Sequence, residues 1–141
     1  MRAEAARIRR LRRLETVRAH ARQAAALEAA RAESTLTQLE ALAARTAAMA
    51  GDYRGRTALR DGLELRQLGQ FVAGLSGISA TTLGDAAQAR VLADRKQQDL
   101  ALAERRRAAV EDRAKAGERA LAQRLQTPVL GSRRAVGTGL E

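Results

Sequence analysis

The sequence predicts an all-α protein, an antiparallel two-helix coiled-coil hairpin with a short helical connector, and three observations carry that expectation. Two long Ala/Leu/Arg/Glu segments, Met1 to Ala50 and Asp85 to Gln126, contain no proline and one glycine, Gly117. Seven of the 11 glycines crowd instead into the stretch from Gly51 to Gly84. Tyr53 and Phe71 are the only aromatic residues, too few for a rounded core, so apolar surface has to be hidden in a thin seam. The expected layout is one coiled-coil domain over 1–126, made of an arm (1–50), a connector (51–84) and a second arm (85–126), with a flexible tail over 127–141.

In the first arm Leu11, Leu14, Leu36 and Leu39 supply bulk, and Ala21, Ala25, Ala32 and Ala43 continue the same stripe at spacings of three and four. So narrow a stripe suits a helix with one partner. On the helical wheel Arg2, Arg9, Arg12 and Arg13 point away from Leu11 and Leu14, whereas Arg18 falls within the stripe. The second arm carries a matching seam through Leu92, Lys96, Leu100, Ala103, Arg107, Val110, Ala114, Gly117, Leu121 and Leu125. Glu104, Glu111 and Glu118 recur at heptad intervals on one flank, with Arg106 and Arg113 on the other, the positions from which coiled coils set register and partner. Alanine favours helix but buries little area, so the arms should form readily and pack with modest energy.

Folding the arms together pairs Leu11 with Leu125, Leu14 with Leu121, Ala21 with Ala114, Ala25 with Val110 and Leu36 with Leu100. Arg18 then meets Gly117, bulky against tiny, which would account for a glycine that costs about 1 kcal/mol in a helix interior. Arms of roughly 45 residues would extend about 65 Å. Within the connector, Gly51 to Gly55 reads as a turn and Thr57 as an N-cap. Ala58 to Leu75 reads as a helix with Leu65, Leu68, Val72 and Leu75 on its apolar face. Ser76 to Gly84 reads as a second break, from which Ser79 or Thr82 caps the second arm. Pro128 is expected to end that arm.

The chain carries a net charge of +10 from 26 basic and 16 acidic residues, and all the basic ones except Lys96 and Lys115 are arginine. That balance attracts acidic proteins, nucleic acid or anionic lipid without choosing among them. Cysteine is absent, which excludes disulfides, thiolate metal sites and cysteine nucleophiles. The longest uncharged run, Gln67 to Gly84, is too polar to span a bilayer, so no membrane insertion is expected. Arg2 to Arg22 has the basic, amphipathic character of a mitochondrial presequence, but Glu4 and Glu15 interrupt it and serine is absent, so an ordinary helical arm is expected. His20, the only histidine, stands alone among arginines and alanines, the carboxylates are dispersed, and no phosphate-loop lysine follows the glycines. The expectation is a protein that is not an enzyme and uses no cofactor or metal. Nucleic-acid association through Arg9-Arg10-Leu11-Arg12-Arg13 and Arg105-Arg106-Arg107 is the alternative function, although stacking aromatics are missing. Self-association of the seam is a second alternative.

A basic first helix, a central Gly55-Arg56-Thr57 followed by Phe71, Leu75 and Ile78, and the charged run from Ala103 to Glu111 together resemble the flagellar export protein FliJ family, which is similar to the type III secretion stalk proteins. The resemblance covers the layout of residues 1–126. It implies a cytoplasmic antiparallel coiled coil, peripheral at a membrane-bound export apparatus, that links a hexameric export ATPase to the export-gate membrane protein and helps escort export chaperones. On that likeness Gln38, Leu42, Phe71 and Leu75 face the gate. Arg9, Arg10, Arg12 and Arg13 form the collar that meets acidic surfaces of the ATPase ring.

Overall fold

Helix α1 spans Arg2–Arg54 and helix α2 spans Gly62–Ala135 in a computed structural model that describes residues 1–56 and 59–135, with side chains through residue 127. The two helices pack against each other as an all-α hairpin, and the described residues contain no strand. The 53 residues of α1 correspond to about 80 Å of helix, longer than the arm lengths suggested.

The connector is far shorter than expected. Gly51 lies within α1, and everything from Gly62 to Ala135 lies within α2, including the Ser76 to Gly84 segment expected to break. None of these glycines adopts a positive φ, so they tax the helix without ending it. Burial of Val72, Ser79 and Thr82 against α1 outweighs their weak helix preference. The start of α2 is set by Asp61, whose Oδ1 accepts from the Glu64 backbone N–H at 2.8 Å, while Glu64 Oε2 accepts from the Arg60 N–H at 2.7 Å. This reciprocal arrangement is a variant of the capping box. Thr57, the expected cap, lies outside the described residues. Ser79 and Thr82 do not cap a second arm: Ser79 donates across the hairpin to the Ala43 carbonyl at 3.2 Å, and Thr82 donates back to Ile78 O at 2.8 Å. At the other end α2 continues past Pro128 to Ala135, forgoing one backbone hydrogen bond, so the helix does not stop where the proline suggested.

The chain divides into two compact units. One comprises Ala26–Asp99, here the loop half, and the other comprises Met1–Ala25 with Leu100–Glu141, here the terminal half. In the loop half, Ala29, Ala32, Leu36, Ala43, Thr46 and Ala50 of α1 are buried, facing Val72, Ser79, Thr82, Ala86 and Ala93 of α2. Ala32, Leu36, Ala86 and Ala93 form its central cluster, with Leu39 and Ala89 packed against it. These positions repeat every seven residues in an alternating three-four pattern, the a and d sites of a coiled coil. In the terminal half the same repeat continues, but Val110 and Ala114 are its only fully buried residues among those described.

The register differs from the expected alignment. A Cβ built on Gly117 would lie 3.3 Å from Ile8 Cγ1, so Gly117 faces Ile8, not Arg18. Arg12 reaches Glu118 at 2.7 Å, and Arg22 reaches Glu104 at 3.6 Å, which fixes the same offset. Leu14, Leu92 and Leu125, all placed in the seam by sequence, are exposed because each stands one residue off the observed three-four repeat. The heptad repeat permits such a slip because moving one helix by about ten residues, a three-plus-seven step, still sets seam positions against seam positions. Ion pairs and the one bulky contact at Gly117 discriminate between the registers.

Candidate functional site

A hairpin of two helices has two edges, where the e positions of both helices meet and where their g positions meet. In the loop half the e edge carries polar pairs, with Leu83 exposed between them. Arg90 pairs with Glu40, and Arg54 Nη2 donates to Ser76 Oγ at 2.8 Å. The g edge is different: Leu42 and Met49 of α1 are 43% and 41% exposed, and Phe71 and Ile78 of α2 are 47% and 53% exposed. All four directly precede a seam residue, so the seven-residue repeat stacks them along one side. Phe71 is anchored there by the Tyr53 ring, which it meets edge to face with centroids 4.8 Å apart, and Arg56 covers Tyr53 at 4.1 Å from its ring centre.

The four gate-facing candidates therefore separate. Leu42 and Phe71 share the apolar edge. Leu75 is half-buried at a seam position, where it packs the hairpin. Gln38 is exposed on the outer side of α1 and donates to Ser34 Oγ at 3.4 Å, away from that edge. Met49 and Ile78 complete the patch. Their shared spacing of seven from Leu42 and Phe71 is the signal that exposes them, once the true seam is known.

The basic candidates separate too. Arg9, Arg10 and Arg13 are exposed on the outer side of α1. Arg12, expected beside them, turns to the e edge, where its Nε and Nη2 hold Glu118 at 2.9 and 2.7 Å and its Nη1 holds Glu15 at 2.7 Å. These carboxylates raise the Arg12 pKa further above its ordinary value, and Arg12 in turn holds the Glu118 carboxyl below the usual range. Arg12 is a structural cation, unlike its three neighbours. Glu104, Glu111 and Glu118 occupy the e edge as their heptad spacing implied, and Lys115 takes Glu111 at 2.9 Å.

Charge is divided as sharply as burial. The terminal half holds 17 basic and seven acidic residues, whereas the loop half holds nine of each, so the whole net charge of +10 belongs to the terminal half. A cavity of about 390 Å³ in the terminal half is rimmed by Arg7, Arg113 and Arg124 and floored by Ile8, Gly117 and Leu121, with Glu4 pairing Arg124. Among the described residues no three His, Cys, Asp or Glu side chains gather as a metal site, and no helix is long and apolar enough to cross a membrane. No family model matches the chain, and no curated protein or solved structure matches it either.

Proposed function

We propose that this protein is a non-enzymatic stalk or adaptor of a flagellar or type III protein export apparatus, linking a hexameric export ATPase to an export-gate membrane protein. The observation that carries the reading is the division of one hairpin into a terminal half with a net charge of +10 and a neutral loop half with an unpartnered apolar edge. An adaptor needs two surfaces of different chemistry. Arg9, Arg10 and Arg13 offer exposed cations to an acidic ring surface, and Leu42, Met49, Phe71 and Ile78 offer an apolar strip to a second protein. Each half is only two helices thick, which suits entry into the bore of a ring. Export chaperones fit as transient partners of the same apolar edge.

The concentration of charge also supports the alternative, association with nucleic acid, because 17 cations against seven carboxylates in one half attract a polyanion. A pulldown with the full chain decides between them, offering export ATPase and duplex DNA at low and high salt. Retention of the ATPase, lost on R9E/R10E/R13E substitution, is the expected result. Salt-sensitive DNA retention without the ATPase overturns the stalk reading.

A further inference from the structure

The terminal half contains a cation layer inside its seam. Arg18 and Arg107 both occupy seam positions, and in each the guanidinium Nε is buried without a hydrogen-bond partner. The register places them together. Gly117 faces Ile8, and moving ten residues along each helix in opposite directions, one three-plus-seven step of the repeat, brings Arg18 opposite Arg107. Val110 and Ala114, the buried residues of this half among those described, follow Arg107 along the same seam.

Each neighbouring carboxylate is already committed. Glu15 and Glu118 are held by Arg12, Glu104 by Arg22, and Glu111 by Lys115. Glu111 also feels the charge of Arg107, but its oxygen is bonded to Lys115 Nζ at 2.9 Å. The layer and its flanks thus hold Arg12, Arg18, Arg22, Arg106, Arg107, Arg113 and Lys115 against Glu15, Glu104, Glu111 and Glu118. Positive charge is in excess, and two buried N–H donors lack acceptors. Guanidinium forks match tetrahedral oxyanions in geometry as well as charge.

We propose that the Arg18–Arg107 layer is an oxyanion-binding site that takes one inorganic phosphate or sulfate between the two guanidinium groups. The bound anion supplies the acceptors that both Nε groups lack and offsets part of the layer's excess positive charge. The site stabilises the terminal half when occupied and leaves it loose when empty. This inference is independent of the export reading, since it concerns only groups within one half of the chain.

The test is thermal unfolding of the full chain at pH 8, followed by helical circular dichroism, in sodium phosphate and in sodium chloride at matched ionic strength. Phosphate should raise the midpoint by roughly 5 °C over chloride, saturating with concentration as a single site requires. The R18L/R107L variant should lose that increment, whereas R9Q/R10Q/R13Q, which removes three exposed cations, should keep it. If R18L/R107L does not fold, phosphate titration of the wild-type chain by calorimetry decides instead, with one phosphate per chain expected. No excess of phosphate over chloride overturns the proposal. So does an increment that survives R18L/R107L or disappears in R9Q/R10Q/R13Q, and so does a calorimetric titration without a stoichiometric site.

Discussion

In the loop half the buried seam positions include Ala29, Ala32, Leu36, Ala43, Ala86 and Ala93, while in the terminal half Glu15, Arg18, Arg22 and Arg107, all half-exposed, share the seam with the buried Val110 and Ala114. One repeat thus supports two kinds of packing. Small apolar residues let the helices of the loop half approach closely and close the seam, with Ala93 fully shielded from solvent. In the terminal half Arg22 carries its charge out to Glu104, whereas the Nε groups of Arg18 and Arg107 stay buried in the seam. Ion pairs from Arg12 to Glu118 and from Arg22 to Glu104 cross this seam, each weak on its own, beside the buried Val110 and Ala114. The loop half is built to persist, and the terminal half is built to carry charge.

The largest expected effect tests the source of stability. Leu36→Ala should cost about 2–3 kcal/mol in chemical denaturation, because it empties the central cluster of the loop half. Val110→Ala should cost about 1 kcal/mol, since the terminal seam is more open and collapses more easily. Equal losses at both sites would remove the contrast in packing.

Reversing the exposed cations addresses the second difference. R9E/R10E/R13E should weaken binding to any acidic partner by at least about tenfold and flatten its salt dependence, while the paired substitutions F71D/I78D should leave that binding unchanged. Anisotropy titrations at two salt concentrations report both. If F71D/I78D impairs acidic-partner binding equally, the division of labour between the halves fails.

A smaller effect separates the glycines. Gly69 has nothing within 4 Å of an added Cβ, so Gly69→Ala should stabilise the chain by about 0.5–1 kcal/mol. Gly117→Ala should give less, because its methyl meets Ile8 Cγ1 at 3.3 Å and the isoleucine has to move. Made in an Ile8→Ala background, which lacks Cγ1, Gly117→Ala should recover the difference. Thermal midpoints of each variant against its own background provide the check.

The smallest effect is the pH response. Lys96, Lys115 and Arg12 hold Glu28, Glu111 and Glu118 respectively below the ordinary carboxylate value of 4.5, through hydrogen bonds. Because their folded pKa values are depressed, their contribution is present above about pH 4.5 and lost as pH falls through the lowered values. Each pair is solvent-exposed and individually weak. In the terminal half, however, protonation also leaves 17 cations uncompensated. Hydrogen exchange should therefore accelerate in the terminal half before the loop half on acidification from pH 5 towards pH 3. The reverse order would show that ion pairs do not hold the terminal seam.

Much of this arrangement is determined by the sequence alone. The absence of proline and the alanine-rich repeat dictate two long helices, the seven-residue spacing dictates a single narrow seam, and the positions of Glu104, Glu111 and Glu118 dictate a charged flank. The tertiary structure decided three things that local pattern leaves open. Register is one, since an alanine seam fits itself at several offsets until Gly117 finds Ile8. The glycine-rich stretch is another: packing of Val72, Ser79 and Thr82 turns an expected connector into helix, and the chain reverses beside Asp61. Finally, only the register shows which side chains are left over. It draws Arg12 and Leu75 into the hairpin, leaves Leu42, Met49, Phe71 and Ile78 on an unpartnered edge, and sets Arg18 against Arg107. Such residues are defined by what stands across from them, and that relation is not present in either helix by itself.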